Sequence, residues 1–406
     1  MKKFWEITKA ELVSIFKDGG AMLILLGAML IYGTIYPLVY APQVVRKFPV
    51  AVVDLDHTAR SRELTRMLDA TPQAAVRYEA ESLEEAKSLF LHRKVYGVLY
   101  IPNGFQKRIL AGEQSYVSFY ADGGYFLLYS DFLNAVSNVV ITAGAEVQMG
   151  TLMAAGLNKK EAEWMARPVD YRVNVLYNPG GGYGTAIMPG VLVLISQQLL
   201  LVGIGLVCGT WYERRMWHRF RGYGSGRLVL GKTLAYLVLY VPLMLYMFGF
   251  QYKFFDYPMK GSHWSVLAVF IPYLLSIIFL GLTIGTFFKR RESSMLVIVV
   301  TSVMFLAVSG ITWSTVGMPQ WMYALGRMMP SSNGMNAVVR IRTMGATLAD
   351  VGPEFITLWV LTGIYGLTAV LAIGRRMRRL PMLEVPASFS ETELPAVVEQ
   401  QQEKTE

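Results

Sequence analysis

Residues 226–233 read GRLVLGKT, which satisfies the phosphate-loop pattern G-x-x-x-x-G-K-[ST] and, taken at face value, binds ATP. That chemistry needs a Gly-rich turn that leaves a buried strand and opens a helix whose first amides cradle phosphate. No strand signal precedes this stretch, its interior is Arg-Leu-Val-Leu, and it runs into a long apolar segment. The match is read as coincidental, with Lys232 a basic residue flanking a membrane span. Asp54 and Asp56 follow a short Val-rich run and could serve as metal ligands or general acids. Aspartate at a strand end commonly caps the next helix, and no partner cluster is visible, so capping is the reading adopted. Cys208 stands alone, which excludes an intramolecular disulfide, and His57, His92, His218 and His263 are too scattered for a zinc site. Ser196, Gln197 and Gln198 interrupt an apolar run, where an unpartnered amide is costly. They line a translocation path or a subunit seam, or they simply hydrogen-bond between helices. An intramembrane enzyme would need paired carboxylates or histidines within the apolar runs, and no convincing pair occurs. The sequence therefore offers no catalytic residue, no metal site and no cofactor site of its own.

The elements that must hold these residues are set by composition. The 406 residues are 53% hydrophobic and 17% charged, far from the balance of soluble proteins. Six apolar runs approach the roughly 20 residues that a helix needs to cross a bilayer core, at 21–40, 186–209, 228–250, 264–288, 294–313 and 355–373. Basic clusters precede the first run, separate the second from the third and the fourth from the fifth, and follow the sixth. If the runs alternate as spans, all four clusters fall on one side, which places both termini in the cytoplasm. The net charge of +9 is thereby explained without nucleic acid. The first run is full length with no A-x-A site after it, so it is expected to stay as an uncleaved anchor. Ahead of it, in residues 1–20, Trp5, Thr8, Leu12, Ile15 and Phe16 recur at helical spacing with Glu11 and lysines between them. This predicts an amphipathic helix lying in the headgroup plane, against the alternative of a solvated extension.

Between the first two spans, residues 41–185 change to soluble α/β signals. Strands are expected at 48–55, 75–78, 95–101 and 116–120, with helices at 58–68, 82–91 and 105–110 between them. Ser82 with Glu85 three residues later is a capping-box pattern. One or two long helices are expected over 125–166. After the fifth span, Pro319, Trp321, Tyr323 and Pro330 suggest a broken, interface-level helix pair. Residues 375–406 read as a basic and then acidic, aromatic-poor tail, expected to be disordered. The whole is a membrane all-α six-helix domain over 21–40 and 186–374, with an inserted extracytoplasmic mixed α/β domain.

This order of parts resembles the permeases of the type-2 ABC exporters, in the one-plus-five span form with a large external domain. The resemblance rests on the Lys/Glu-patterned N-terminal segment, PVAVVDLDHTARS opening the external domain, and GTWYERR followed by GRLVLGKTLAY. SGITW and then MPQWMYALGRMMPSSNGMNAVVR add the look of the family's external re-entrant segment. GTWYERR is an imperfect form of the usual Arg/Glu-rich loop. The resemblance implies export of a hydrophobic or amphipathic molecule, driven by separate cytoplasmic ATPase subunits that hold the ATP and Mg. It implies a multi-pass protein of a bacterial inner membrane, paired with a second copy or a sister permease, and leaves room for a periplasmic adaptor. Charged and aromatic residues at Trp211, Tyr212, Glu213, Arg214 and Arg215 suit docking of the ATPase. The rival reading is a polytopic receptor or sensor whose external domain binds a ligand; six spans exceed what anchoring requires.

Overall fold

The computed structural model describes residues 2–169, 173–310, 313 and 315–380. The expected tail from Pro381 onward lies outside them, as do Ile311 and Thr312 of the SGITW stretch. The chain divides into two compact units, one of Met1–Ala41 with Tyr183–Glu406 and one of Pro42–Gly182.

The first unit opens with α1 (Lys2–Lys17), which buries Ile7, Thr8, Glu11, Ser14 and Ile15. Their spacing of three and four residues marks one helical face. Asp18 ends it and caps α2 (Gly19–Val39), accepting from the Gly20 and Ala21 amides at 3.1 Å each.

The second unit is a four-stranded sheet with helices on both faces. Its elements are β1 (Phe48–Asp54), α3 (Ala59–Asp69), β2 (Ala74–Glu79), α4 (Leu83–Leu91), β3 (Gly97–Ile101), α5 (Phe105–Leu110), β4 (Ser118–Ala121), α6 (Phe126–Ala154) and α7 (Lys159–Ala166). The strand order is β2-β1-β3-β4, with β1 parallel to both neighbours and β4 antiparallel to β3. Central β1 is covered on both faces, which is why it reads as an unbroken apolar run and not an alternating one. Phe48, Val50 and Val52 join Leu64, Leu68 and Phe132 in one core, while Ala51 and Val53 join Ala86 and Val98 in another. Ser82 accepts from the Glu85 amide at 3.2 Å, but the Glu85 carboxylate returns to the Glu81 amide, one residue short of a reciprocal box.

The first unit resumes with α8 (Tyr183–Glu213), α9 (Met216–Arg219), α10 (Ser225–Phe254), α11 (His263–Gly285), α12 (Arg291–Ala307), α13 (Gln320–Arg327), α14 (Pro330–Val339) and α15 (Gly352–Arg378). Helix α8 is the hub, packing on α2, α11, α12 and α14. The outer faces of the other helices are apolar: Leu296 is 70% exposed and Leu367 63%, while Glu11, Lys232 and Gln197 are fully buried. Such an inside-out distribution suits a lipid solvent.

Among the described residues, six helices are long and apolar enough to cross a membrane: α2, α6, α8, α10, α11 and α15. The set differs from the six expected runs at two places. Helix α6 qualifies by composition, although Phe132, Ala135, Val136 and Val139 bury one of its faces in the core of the α/β unit. The expected run 294–313 yields α12, whose 17 residues span about 26 Å, the short end of what a bilayer core requires. Arg375, Arg376 and Arg378, expected at the start of the tail, instead form the last turn of α15, where their charge complements the helix dipole.

Candidate functional site

Helix α1 is fixed to the first unit by a buried charged cluster. Gly231 on α10 has no side chain to keep Ile7 away, and a Cβ there would lie 2.8 Å from the Ile7 Cγ2. The two helices therefore cross closely, and the Thr8 hydroxyl donates to the Gly231 carbonyl at 2.9 Å. One turn on, Lys232 donates to one Glu11 oxygen and the Tyr236 hydroxyl to the other, the latter at 2.6 Å. Both charged side chains are fully buried. The Lys232 ammonium also sits 3.3 Å from the centroid of the Trp211 ring and 5.2 Å from that of Trp217. Trp211 donates from its indole nitrogen to Ser14 of α1 at 3.2 Å and stacks on Phe220. Burying two charges costs several kcal/mol per ion, and the interaction is favourable only when every remaining donor and acceptor is occupied. Lys232 answers that demand with the Glu11 carboxylate and the Trp211 ring face, and Glu11 with Lys232 on one oxygen and the Tyr236 hydroxyl on the other.

The phosphate-loop pattern has no phosphate-loop geometry. Residues 226–233 are helical throughout, and the Lys232 amine is committed to Glu11.

Asp18 joins four segments at the same end of the unit. Besides capping α2, it accepts from the Thr210 hydroxyl of α8 at 2.9 Å and pairs with Arg291 of α12 at 2.9 Å. Burial opposes its ionisation, but the bonds from Ala21, Thr210, Arg291 and Gly20 outweigh it and hold the carboxyl below the ordinary value of 3.8. Glu213, the last residue of α8, accepts from the Arg291 amide at 3.0 Å and so places a negative charge at the first turn of α12. Trp211 and Trp217 point into the unit, and Tyr212 lies beneath the Arg376 guanidinium at 4.2 Å. Glu213, Arg214 and Arg215 are the exposed part of this turn, with Arg215 in the left-handed region at φ 51°. On the opposite face of α1, Trp5 and Phe16 are exposed and Leu12 is half-buried beside them, while Glu11 belongs to the buried face.

Farther along α8, Ser196 meets α11 and Gln197 meets α14. Ser196 bonds to the Tyr273 hydroxyl of α11 at 2.9 Å, and the Gln197 side-chain oxygen Oε1 accepts from the Ser331 amide at 2.7 Å. The latter satisfies one of the free amides in the first turn of α14. The remaining atoms are less well served. Gln197 Nε2, both amide atoms of Gln198, and the Ser331 and Ser332 hydroxyls are buried without hydrogen-bond partners. Each such atom costs about 1–3 kcal/mol unless water or another molecule reaches it. Pro319 caps α13, Trp321 is exposed upon it, and Pro330 opens α14 as its first residue, where its missing N–H costs nothing.

Asp54 and Asp56 act on backbone amides. Asp54 accepts from the amides of Asp56 and His57 at 3.0 Å each, and Asp56 from those of Gly104 at 2.8 Å and Gln106 at 3.0 Å, at the start of α5. Burial opposes ionisation of Asp56, yet the bonds from Thr58, Gln106, Gly104 and Phe105 prevail and lower its pKa below 3.8. Among the described residues no group of three His, Cys, Asp or Glu side chains is placed to hold a metal ion.

Sequence reasoning missed Arg342. It lies in a π-helical turn, 3% exposed, and donates to the Phe248 carbonyl at 2.7 Å with its guanidinium 5.3 Å from the Tyr252 ring centroid. The apolar Ala337, Val338 and Ile341 just before it were the available signal for burial.

Two comparisons bear on this arrangement. The sequence model of a family described as ABC-2 family transporter protein matches residues 20–371. ABC transporter G family member 20 of Dictyostelium discoideum is 22% identical over 316 residues, covering 74% of this chain and 41% of that protein. The chain thus spans less than half the length of that relative.

Proposed function

This chain belongs to the ABC-2 family of transporter proteins, a multi-pass membrane family, and we propose that it is the permease subunit of an ATP-driven exporter. In this reading it moves a hydrophobic or amphipathic molecule out of the cytoplasm or the inner leaflet. ATP and Mg are held by separate cytoplasmic ATPase subunits, and a second copy or a sister permease completes the pathway. Helices α2, α8, α10, α11, α12 and α15 are the spans, and residues 41–185 form the extracytoplasmic domain.

The observation that carries the reading is the exposed turn Glu213–Arg214–Arg215 at the end of the most buried helix. A subunit docked there would act on α8 directly, on α12 through Glu213 and Arg291, and on α1 and α2 through Asp18 and Thr210. Displacement of α8 would in turn move Gln197 against α14. The unpartnered amides and hydroxyls there supply a polar stretch inside an apolar bundle, suited to a water-lined path or a subunit seam. The exposed aromatic face of α1, with Trp5 and Phe16, suits the lipid interface.

Arg214→Glu tests the docking surface, because its side chain has no bond within the subunit among those described, whereas Glu213→Lys also removes the cap on α12. Both variants should insert normally, since Arg215, Arg219, Arg221 and Arg227 keep the positive-inside bias. Both are expected to lose co-purification of an ATPase subunit and ATP-dependent uptake of an amphipathic dye into inverted membrane vesicles. Wild-type co-purification and uptake by Arg214→Glu, at wild-type expression, would refute the assignment of this turn.

A further inference from the structure

The α/β unit holds a cleft of about 580 Å³ between α3, α5 and the second half of α6. The volume lies within the roughly 300–1,000 Å³ of small-molecule sites. Leu64 and Met67 of α3, Phe105 and Ile109 of α5, and Phe119 of β4 form one wall. Helix α6 forms the other from Val136 to Val147, a run of about 16 Å at the helical rise.

Four features point to a ligand and to its chemistry. The apolar stripe of α6 reaches the sheet at Phe132 to Val139, then continues past it, leaving Val140 38% and Ile141 52% exposed. The Ser115 hydroxyl lines the cleft, buried and without a hydrogen-bond partner, so the site contains a polar group still to be satisfied. Gly144 faces open space, with no atom within 4 Å of where its Cβ would stand. Glycine within a helix is destabilising by about 1 kcal/mol against alanine, and here its missing side chain keeps the cleft open. Finally, Arg60 at the rim is neutralised by Glu63 at 2.7 Å, while Glu146 has no ion-pair partner among the described residues. The charged residues that line the cleft are Arg60, Glu63 and Glu146, an excess of one carboxylate, with the Arg108 guanidinium nearby over the Tyr116 ring at 5.2 Å.

We propose that this cleft binds a cationic amphiphile, its apolar body lying along α6 and its positive head beside Glu146. The proposal stands on the geometry of the α/β unit and holds whether or not the chain exports anything.

The test uses the full-length chain in lipid nanodiscs with an alkyltrimethylammonium carrying a photoactivatable diazirine, and the alkyl carboxylate of the same length. Adducts mapped by mass spectrometry are expected within 136–147 and 105–119, saturable and displaced by dodecyltrimethylammonium. Gly144→Trp fills the cleft and should cut these adducts about tenfold while leaving those on the lipid-facing α15 unchanged. Gly144→Ala should retain them, and Gly144→Leu provides a smaller plug should the Trp variant fail to fold. Glu146→Gln should abolish the preference for the cation over the carboxylate. Non-saturable labelling of 136–147 that Gly144→Trp and Gly144→Leu leave intact would mean that α6 simply contacts lipid, and would overturn the proposal. Absence of labelling there, or protection of the face by a second copy of the chain, would overturn it equally.

Discussion

At Lys232 one side chain fits two chemistries, a phosphate ligand in GRLVLGKT and a counter-ion for Glu11, and full burial among Trp211, Trp217 and Tyr236 selects the second. Removing one partner of such a pair leaves an uncompensated buried charge, which costs about 3–5 kcal/mol, whereas replacing both with neutral groups of similar size can be nearly neutral. Lys232→Met and Glu11→Gln should each lower the thermal unfolding midpoint of the detergent-solubilised protein markedly, and the double variant should recover most of the loss. A double variant whose loss equals the sum of the two single losses would show no coupling between the two residues and would contradict the pair. None of this was legible in the sequence. Spacing assigned Glu11 to the polar side of an interfacial helix, and its partner lies 221 residues away, beyond the reach of any local pattern. At Asp54 and Asp56 only the kind of contact was legible: Thr58, and not either aspartate, caps the next helix α3, Asp54 binds the amides of the turn before it, and Asp56 binds those at the start of α5 about 50 residues along.

Among elements, the long apolar runs and the short strands were readable to within a few residues, since periodicity and turn residues are local signals. The strands expected at 48–55 and 116–120 are observed as Phe48–Asp54 and Ser118–Ala121. What composition could not decide is which apolar helix packs on protein. Helix α6 and the fifth run show the same ambiguity from opposite sides, one long and sheet-bound, the other short and packed on α8. The close packing of α8 depends on small residues at four-residue spacing. A Cβ at Gly205 would meet Ser294 at 2.8 Å, and one at Gly209 would meet the Arg291 backbone at 2.6 Å. Gly281 and Gly285 of α11 approach Ile204 and Cys208 in the same manner. Backbone cannot rotate away as a side chain can, so Gly209→Val should push α12 off α8 and break the Glu213–Arg291 cap. The expected result is a loss of stability of about 1–3 kcal/mol, with amide hydrogen exchange at the start of α12 reporting the broken cap. Gly19→Val, at a position open to solvent or lipid, should leave both unchanged. Equal behaviour of the two variants would contradict tight α8–α12 packing.

For the molecule as a whole, the division into two units predicts that residues 42–182 fold without the rest of the chain. Every strand pairing lies between Phe48 and Ala121, and both cores of the unit draw only on residues between Phe48 and Ala143. The hydrogen bonds of Asp54, Asp56 and Asp69 also close within it. The hydrophobic contacts that offset the entropy of ordering the chain are therefore all retained on excision. The excised fragment should show mixed α/β circular dichroism and a single cooperative unfolding transition in urea. Acid provides a second check of the same fold. The Asp56 carboxyl has a folded pKa below its unfolded value near 3.8, so its stabilising share is present above that pH. It is lost progressively as the pH falls below 3.8 toward the folded pKa, and Asp56→Asn, which keeps an acceptor oxygen but carries no charge, should remove that part of the acid dependence. A fragment with only disordered circular dichroism would show that the unit needs the membrane helices to fold. A folded fragment whose acid sensitivity is unchanged by Asp56→Asn would leave the boundary standing and disprove the ionised cap.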